Sequence, residues 1–298
     1  MANILSRILG KLVRRIRAAI VDYLLSRAKR KFGTLPGGNV LRLTAGLVIK
    51  KSDALTLALE AESVAFVAAR TTIPVPRVHH YWEEGERGSL VMDYIEGIQL
   101  QRAWRDMSAP QRLSVMRRIA GYVEQLRAIP QPAPLSTSSL PRRGWIGGPT
   151  GSAFSDFMMT SESTPFGPFA DEREFNDWRV SRFKPFGDRH APTAARIAEI
   201  RKSMSEDHPI VFTHGDINRR NILVRIHGDG PDDVEITALL DWEQAGWRPA
   251  YWESRKWLFE DSRTPVWGDF GLKVIGAGYE TDIELDRELQ RISGHVPY

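Results

Sequence analysis

Cysteine is absent from the 298 residues. Disulfides, thiolate-bound zinc, iron–sulfur clusters and thiol nucleophiles are therefore excluded, and His and carboxylates are left as candidate metal ligands. The same absence gives no support to secretion and fits a reducing compartment, so a cytoplasmic location is expected. No apolar run approaches the roughly 18 residues that a spanning helix needs. Also missing are a G-x-G-x-x-G or G-x4-G-K-[ST] phosphate cradle and a G-x-S-x-G nucleophile elbow. Gly37, Gly38 and Gly46 are too few to make a cradle on spacing alone, and Ser-His-Asp hydrolysis is set aside.

What is present is an ordinary globular composition, 42% hydrophobic and 26% charged, with length enough for one large domain or two lobes. The net charge of +4 hides an asymmetry. Residues 1–31 hold nine Lys/Arg against Asp22 alone, a formal +8, and the remainder carries −4. The body is mildly acidic, which argues against nucleic acid as a partner of the whole chain. Within the basic segment Leu5, Leu9, Leu12, Ile16, Ala19, Ile20 and Tyr23 recur at three- and four-residue spacing, with Arg7, Lys11 and Arg14 on another side. This is a basic amphipathic helix over 1–32. Three readings fit it: a helix laid on the domain with its basic face in water, peripheral membrane contact through residues 1–31, or a mitochondrial presequence with the corresponding location.

A breaker-rich stretch at 31–38 opens the main body. Two alternating runs, 39–43 and 47–51, predict a β-hairpin, and 53–70 predicts a helix opened by Ser52/Asp53. Strands are expected at 77–81 and 89–93. A second helix over 108–129 has Ser108 as its cap and Leu113, Met116, Ile119, Val123 and Leu126 on one face. Residues 131–190, rich in Ser, Pro, Gly and aromatics, predict a long loop or lid broken by short helices. A helix at 192–205 and two strands, 222–226 and 236–240, joined at Gly228-Asp229-Gly230, follow. No internal repeat is present.

The chemistry concentrates in His214-Gly215-Asp216-Ile217-Asn218-Arg219-Arg220-Asn221 and, one hairpin later, Asp241-Trp242-Glu243. Asp216 and Asn221 sit five apart in a loop entering a strand, and Asp241 closes the next strand. Two carboxylates and an amide carbonyl can thereby meet at one point. Phosphoryl transfer needs such a set, with oxygen ligands for Mg²⁺ on the nucleotide phosphates and a separate carboxylate to orient the attacking hydroxyl.

With these residues the sequence resembles the aminoglycoside phosphotransferase/choline kinase-like phosphotransferases, most closely a branch described from fungi, over roughly residues 39–260. The matching stretches are VIKK at 48–51, LEAESVAFVAARTTIPVPRV at 59–78, LVMDYIEGIQL at 90–100, GPFADEREFNDW at 167–178, THGDINRRNILV at 213–224 and ALLDWEQAGWRPAYWE at 238–253. The resemblance implies a bilobal protein-kinase-like α/β fold. Residues 33–95 would form a nucleotide-binding lobe of antiparallel strands plus one helix, residues 96–298 a mainly helical catalytic lobe, and ATP would bind in the cleft between them. It implies Asp216 as catalytic carboxylate and Asn221 and Asp241 as Mg²⁺ ligands, with His214 bracing the loop. Lys50 would reach the phosphates and Glu60, fourteen residues before Pro74, would hold that Lys; Lys51 and Glu62 are their competitors. Met92, Asp93, Tyr94 and Ile95 would form the hinge beside adenine. Asn218 and Arg219 depart from the His and Pro that relatives often carry.

The expected activity is an ATP- and Mg²⁺-dependent phosphotransferase acting on a hydroxyl of a small molecule. A nucleotide-binding pseudokinase and a membrane-associated protein-kinase-like regulator are the alternatives. His79-His80 point to opposite faces of a strand, which disfavours a shared metal. Trp242, Trp247, Tyr251, Trp252, Trp257 and Trp267 form either an aromatic box for an ammonium group or, the favoured reading, core.

Overall fold

The computed structural model describes residues 16, 19–32, 35, 38–133, 144–159, 165–182, 191–260 and 264–292. The expected basic helix lies outside these up to residue 15; residues 19–32 are helical. Two compact units are present. The first comprises Met1–Leu57 with Pro76–Ile95, and the second Ala58–Val75 with Glu96–Tyr298. Residues 58–75, expected in the nucleotide-binding lobe, thus group with the second unit, the division falling inside a helix.

In the first unit β1 (Val40–Arg42), β2 (Leu47–Asp53), β3 (Val78–Glu84) and β4 (Arg87–Asp93) form an antiparallel sheet in the order β1-β2-β4-β3. Helix α1 (Ala54–Ala68) starts where Asp53 Oδ1 accepts from the amides of Leu55 (3.0 Å) and Thr56 (3.1 Å), an end cap that satisfies donors the helix cannot. Gly88 of β4 sits so close to this helix start that a Cβ there would lie 2.9 Å from the Ala54 Cα.

In the second unit β5 (Ile98–Gln99) leads into the one-turn helix α2 (Leu100–Ala103) and then α3 (Ala109–Arg127). Ser108 and Gln111 close a capping box at the start of α3. The buried face of α3 is Val115, Met116, Ile119, Val123 and Leu126; Leu113, expected on it, is exposed. Helix α4 (Glu172–Ser181), capped by Asp171, is a short helix within 131–190, the stretch expected to be loop broken by short helices. Helix α5 (Ala191–Ser203) precedes four strands: β6 (Ile210–Thr213), β7 (Ile222–Ile226), β8 (Val234–Leu239) and β9 (Gly246–Pro249). They pair as β5-β7-β8 and β6-β9, all antiparallel. Helices α6 (Trp252–Glu260), α7 (Pro265–Phe270) and α8 (Glu280–Ile292) follow, with a π-helical turn at Gly271–Ile275 continuing α7. Trp242, Trp247, Trp252, Trp257 and Trp267 are fully buried and Tyr251 nearly so, with Trp257 stacked on Trp267 at 4.2 Å. The six aromatics are core and not a solvent-facing box.

Candidate functional site

Two ladders lay two loops side by side. Strand β6 enters the loop 214–221 and β7 leaves it, while β8 enters the loop 240–245 and β9 leaves it. Because β6 pairs with β9 (Thr213 opposite Gly246) and β7 with β8 (Ile222 opposite Leu239), both ends of the first loop are tied to both ends of the second. The Leu240 amide donates to the Asn221 carbonyl (2.8 Å) and Thr213 Oγ1 to the Gly246 carbonyl (3.1 Å).

Inside the first loop Gly215 has φ +75°, and a Cβ there would stand 2.8 Å from the Gln244 carbonyl oxygen. Glycine is required twice over, by conformation and by space. The Asp216 amide donates to His214 Nδ1 (3.1 Å), and His214 Nε2, on its other side, faces the Leu240 carbonyl (3.0 Å). The ring is fully buried, and burial pushes its pKa down to about 4. His214 is a neutral brace joining the two loops. Glu253, at the start of α6, accepts from the amides of His214 (2.6 Å) and Gly215 (3.2 Å). Its burial pushes the carboxyl up to about 7.

The Asp216 carboxylate accepts from Asn218 Nδ2 at Oδ1 (3.0 Å) and from Asn221 Nδ2 at Oδ2 (2.8 Å). Asn218 Oδ1 in turn accepts from the amides of Arg220 (2.9 Å) and Asn221 (3.2 Å). The departure at 218 thus keeps the loop closed by local amide bonds. Arg219 reaches away, donating to Thr264 Oγ1 (2.7 Å) with its guanidinium 5.2 Å from the Trp104 ring.

Asp241, second residue of the second loop, has φ +69° and is the one non-glycine residue with positive φ among the described residues. Aspartate tolerates this region better than most, and such conformations gather at functional sites. Ligand oxygens of Glu60, Asp241 and Glu243 all lie within 4.8 Å of one another, a set able to hold a metal ion. Glu243 is a member that sequence reasoning quoted in its motif without giving it a role; its place two residues after Asp241, on the same short loop, was the available signal. Glu62, the competitor of Glu60, is committed elsewhere, accepting from Thr150 Oγ1 (2.5 Å) and the Thr150 amide (3.2 Å).

Behind the second loop lies a buried polar network that the sequence did not announce. Lys256 of α6 is fully buried and donates to Asp156 Oδ1 (2.7 Å) and Gln244 Oε1 (2.9 Å). Trp252 Nε1 donates to Asp156 Oδ2 (3.1 Å), and the Phe157 amide to Gln244 Oε1 (3.1 Å).

The remaining expected residues lie in the first unit. Lys50 is buried in β2, opposite Leu90 of β4. Met92 is buried in β4. The amides of Asp93 and Tyr94 donate to the carbonyls of Arg77 (3.0 Å) and Gly46 (2.8 Å), and Asp93 Oδ1 binds His79 Nε2 (2.6 Å). Of the two histidines, His79 takes this carboxylate and His80 stacks on Trp82 (5.4 Å). Ile95 closes the unit, and the Arg42 guanidinium lies 3.6 Å from the Tyr94 ring.

An antiparallel sheet with a helix after its second strand, and a mainly helical unit in which two short strand ladders hold the His-Gly-Asp and Asp-Trp-Glu loops, fit the kinase-like fold expected from the sequence. The model of the phosphotransferase enzyme family matches residues 39–254, and the chain belongs to that family. Its fold is shared with the crystal structure of an aminoglycoside-3′-phosphotransferase of type VIII at 18% identity, covering 90% of this chain and 99% of the other, with a TM-score of 0.50. It is shared likewise with the streptomycin–ATP ternary complex of the aminoglycoside phosphotransferase APH(2″)-IIa, at 12% identity, 85% and 80% coverage and a TM-score of 0.50. No curated protein matches the sequence.

Proposed function

We propose that the chain transfers the γ-phosphoryl group of ATP, with Mg²⁺, to a hydroxyl of a small molecule. The observation that carries this reading is the bond between Asn221 Nδ2 and Asp216 Oδ2 (2.8 Å), in a loop whose last residue is bonded to the strand end beside Asp241. Asp216 is the group that receives the acceptor. Two amide donors fix its carboxylate in one orientation, so that it can align an incoming hydroxyl and take its proton.

The residues present fit a hard divalent ion. Asn221 commits its amide nitrogen to Asp216, which leaves its carbonyl oxygen to face a cation without adding charge. Asp241 supplies a carboxylate, and its ligand oxygen lies within 4.8 Å of those of Glu60 and Glu243, a donor set suited to a hard cation. Asn221 and Asp241 would hold Mg²⁺, with Glu60 and Glu243 completing the acidic surroundings. Bound there, the ion neutralises phosphate charge. Lys50 would supply a cation for the phosphates, and the Ile95 amide, with Met92 lining the pocket, is our assignment for the adenine edge. ATP as the nucleotide is supported by family membership and by the ATP in the APH(2″)-IIa complex. The mildly acidic body suits a cationic acceptor such as an amino alcohol or aminoglycoside.

A screen of ATP consumption with Mg²⁺ across amino alcohols, aminoglycosides, sugars and other hydroxyl compounds tests this, with Asp216→Ala as the blank. Consumption that depends on both an acceptor and Asp216 is expected. ATP binding with no consumption for any acceptor would favour a pseudoenzyme instead.

A further inference from the structure

The helix at 19–32 buries one side only. At about 100° per residue, Val21, Leu25, Ala28 and Phe32 fall together. Leu25 and Ala28 are buried, Val21 and Phe32 half-buried, and the Arg42 guanidinium lies 4.7 Å from the Phe32 ring. The outward side carries Ile20 and Tyr23, Leu24 lies between it and the buried side, and Ile16 falls on the outward stripe by spacing. These four remain 54%, 60%, 39% and 51% exposed. By spacing again, this is the stripe to which Leu5, Leu9 and Leu12 belong. A helix laid on the domain by that stripe would bury Ile16 and Ile20; the structure buries the other side. Toward its C-terminal end the exposed side passes into Arg27, Arg30 and Lys31, all exposed.

We propose that this outward face docks on an anionic lipid surface. Aliphatic side chains with a tyrosine beside them suit the boundary between headgroups and acyl chains, and the cations that follow suit lipid phosphates and carboxylates. Charge selects this occupant. Residues 1–31 hold a formal +8 while the remainder holds −4, so a second copy of the helix is repelled. Nucleic acid would leave Ile16, Ile20 and Leu24 with nothing to bury against. Among the described residues no helix is long and apolar enough to cross a membrane, so the contact is peripheral. This inference is independent of the phosphotransferase reading.

The full chain is sedimented with vesicles of phosphatidylcholine alone and of phosphatidylcholine with phosphatidylserine. Binding to the anionic vesicles, weak binding to the neutral ones and weakening by salt are expected. The double change Ile20→Glu with Tyr23→Glu removes the binding. Arg27→Gln with Lys31→Gln lowers the partition coefficient by about fivefold per lost charge. All four positions are exposed, so both variants should keep the wild-type Tm. Equal binding to the two vesicle types, or binding that survives Ile20→Glu with Tyr23→Glu, overturns the proposal. No vesicle binding also overturns it and points to an acidic protein partner. A self-association in sedimentation equilibrium that the same double change abolishes overturns it in favour of a second copy.

Discussion

A histidine inside a catalytic loop invites a proton-transfer role, and at His214 the surroundings remove it. One ring nitrogen accepts from the Asp216 amide, the other faces the Leu240 carbonyl, and burial holds the ring neutral down to about pH 4. In the proposed function the proton-handling group is instead Asp216, whose carboxylate two asparagine amides orient. Gly215 gives a separate residue-scale prediction. In Gly215→Ala the methyl would press on the Gln244 carbonyl at a positive φ, with a cost of roughly 1–3 kcal/mol in thermal or urea unfolding. An unchanged midpoint would show that the loop has another conformation to adopt.

At the scale of elements, helix α6 holds the site from behind through Glu253 and Lys256. Below about pH 7 the native Glu253 carboxyl keeps its proton, whereas the unfolded chain releases it near 4.5. The native state binds more protons between these values, so this group makes stability fall as pH rises through that window. Glu253→Gln, which keeps an acceptor for the His214 and Gly215 amides, should flatten the slope of Tm against pH there; a slope unchanged from wild type would contradict the assignment. Lys256→Met leaves Asp156 buried without its cation and should cost about 3–5 kcal/mol, part of it recovered by adding Asp156→Leu. Losses that simply add in the double variant, measured by urea unfolding with Asp156→Leu alone as the third arm, would show that the pair is not coupled.

The same scale explains what the sequence made legible. Strands β2, β4, β7 and β8 alternate or run apolar, and α3 carries both a cap and a periodic face, so local pattern was enough. Strands β6 and β9 are four residues each, and Gly246-Trp247-Arg248-Pro249 has no strand signature; only its pairing with β6 makes it one. Short helices were expected within 131–190, but the polar residues of α4 left its position there unmarked. In the proposed site, Asp216, Asn221 and Asp241 could be named from sequence because their spacing is local to one hairpin and its loops. The Lys256–Asp156 pair spans about a hundred residues of sequence and no local pattern could expose it.

Over the whole molecule, charge and family divide the chain at nearly the same place. The family match covers 39–254, the two ladders and both site loops fall within it, and the basic segment with its exposed apolar stripe falls outside. The phosphotransferase chemistry therefore rests on the matched part, and the surface contact on the part that precedes it. The chemistry is tested most directly by the turnover of Asp216→Asn at saturating ATP, Mg²⁺ and acceptor, with nucleotide affinity measured alongside. A fall in kcat of about 10²–10⁴-fold, with nucleotide affinity little changed, is the expected result. Wild-type turnover by Asp216→Asn would contradict the assignment of that carboxylate to the transfer step.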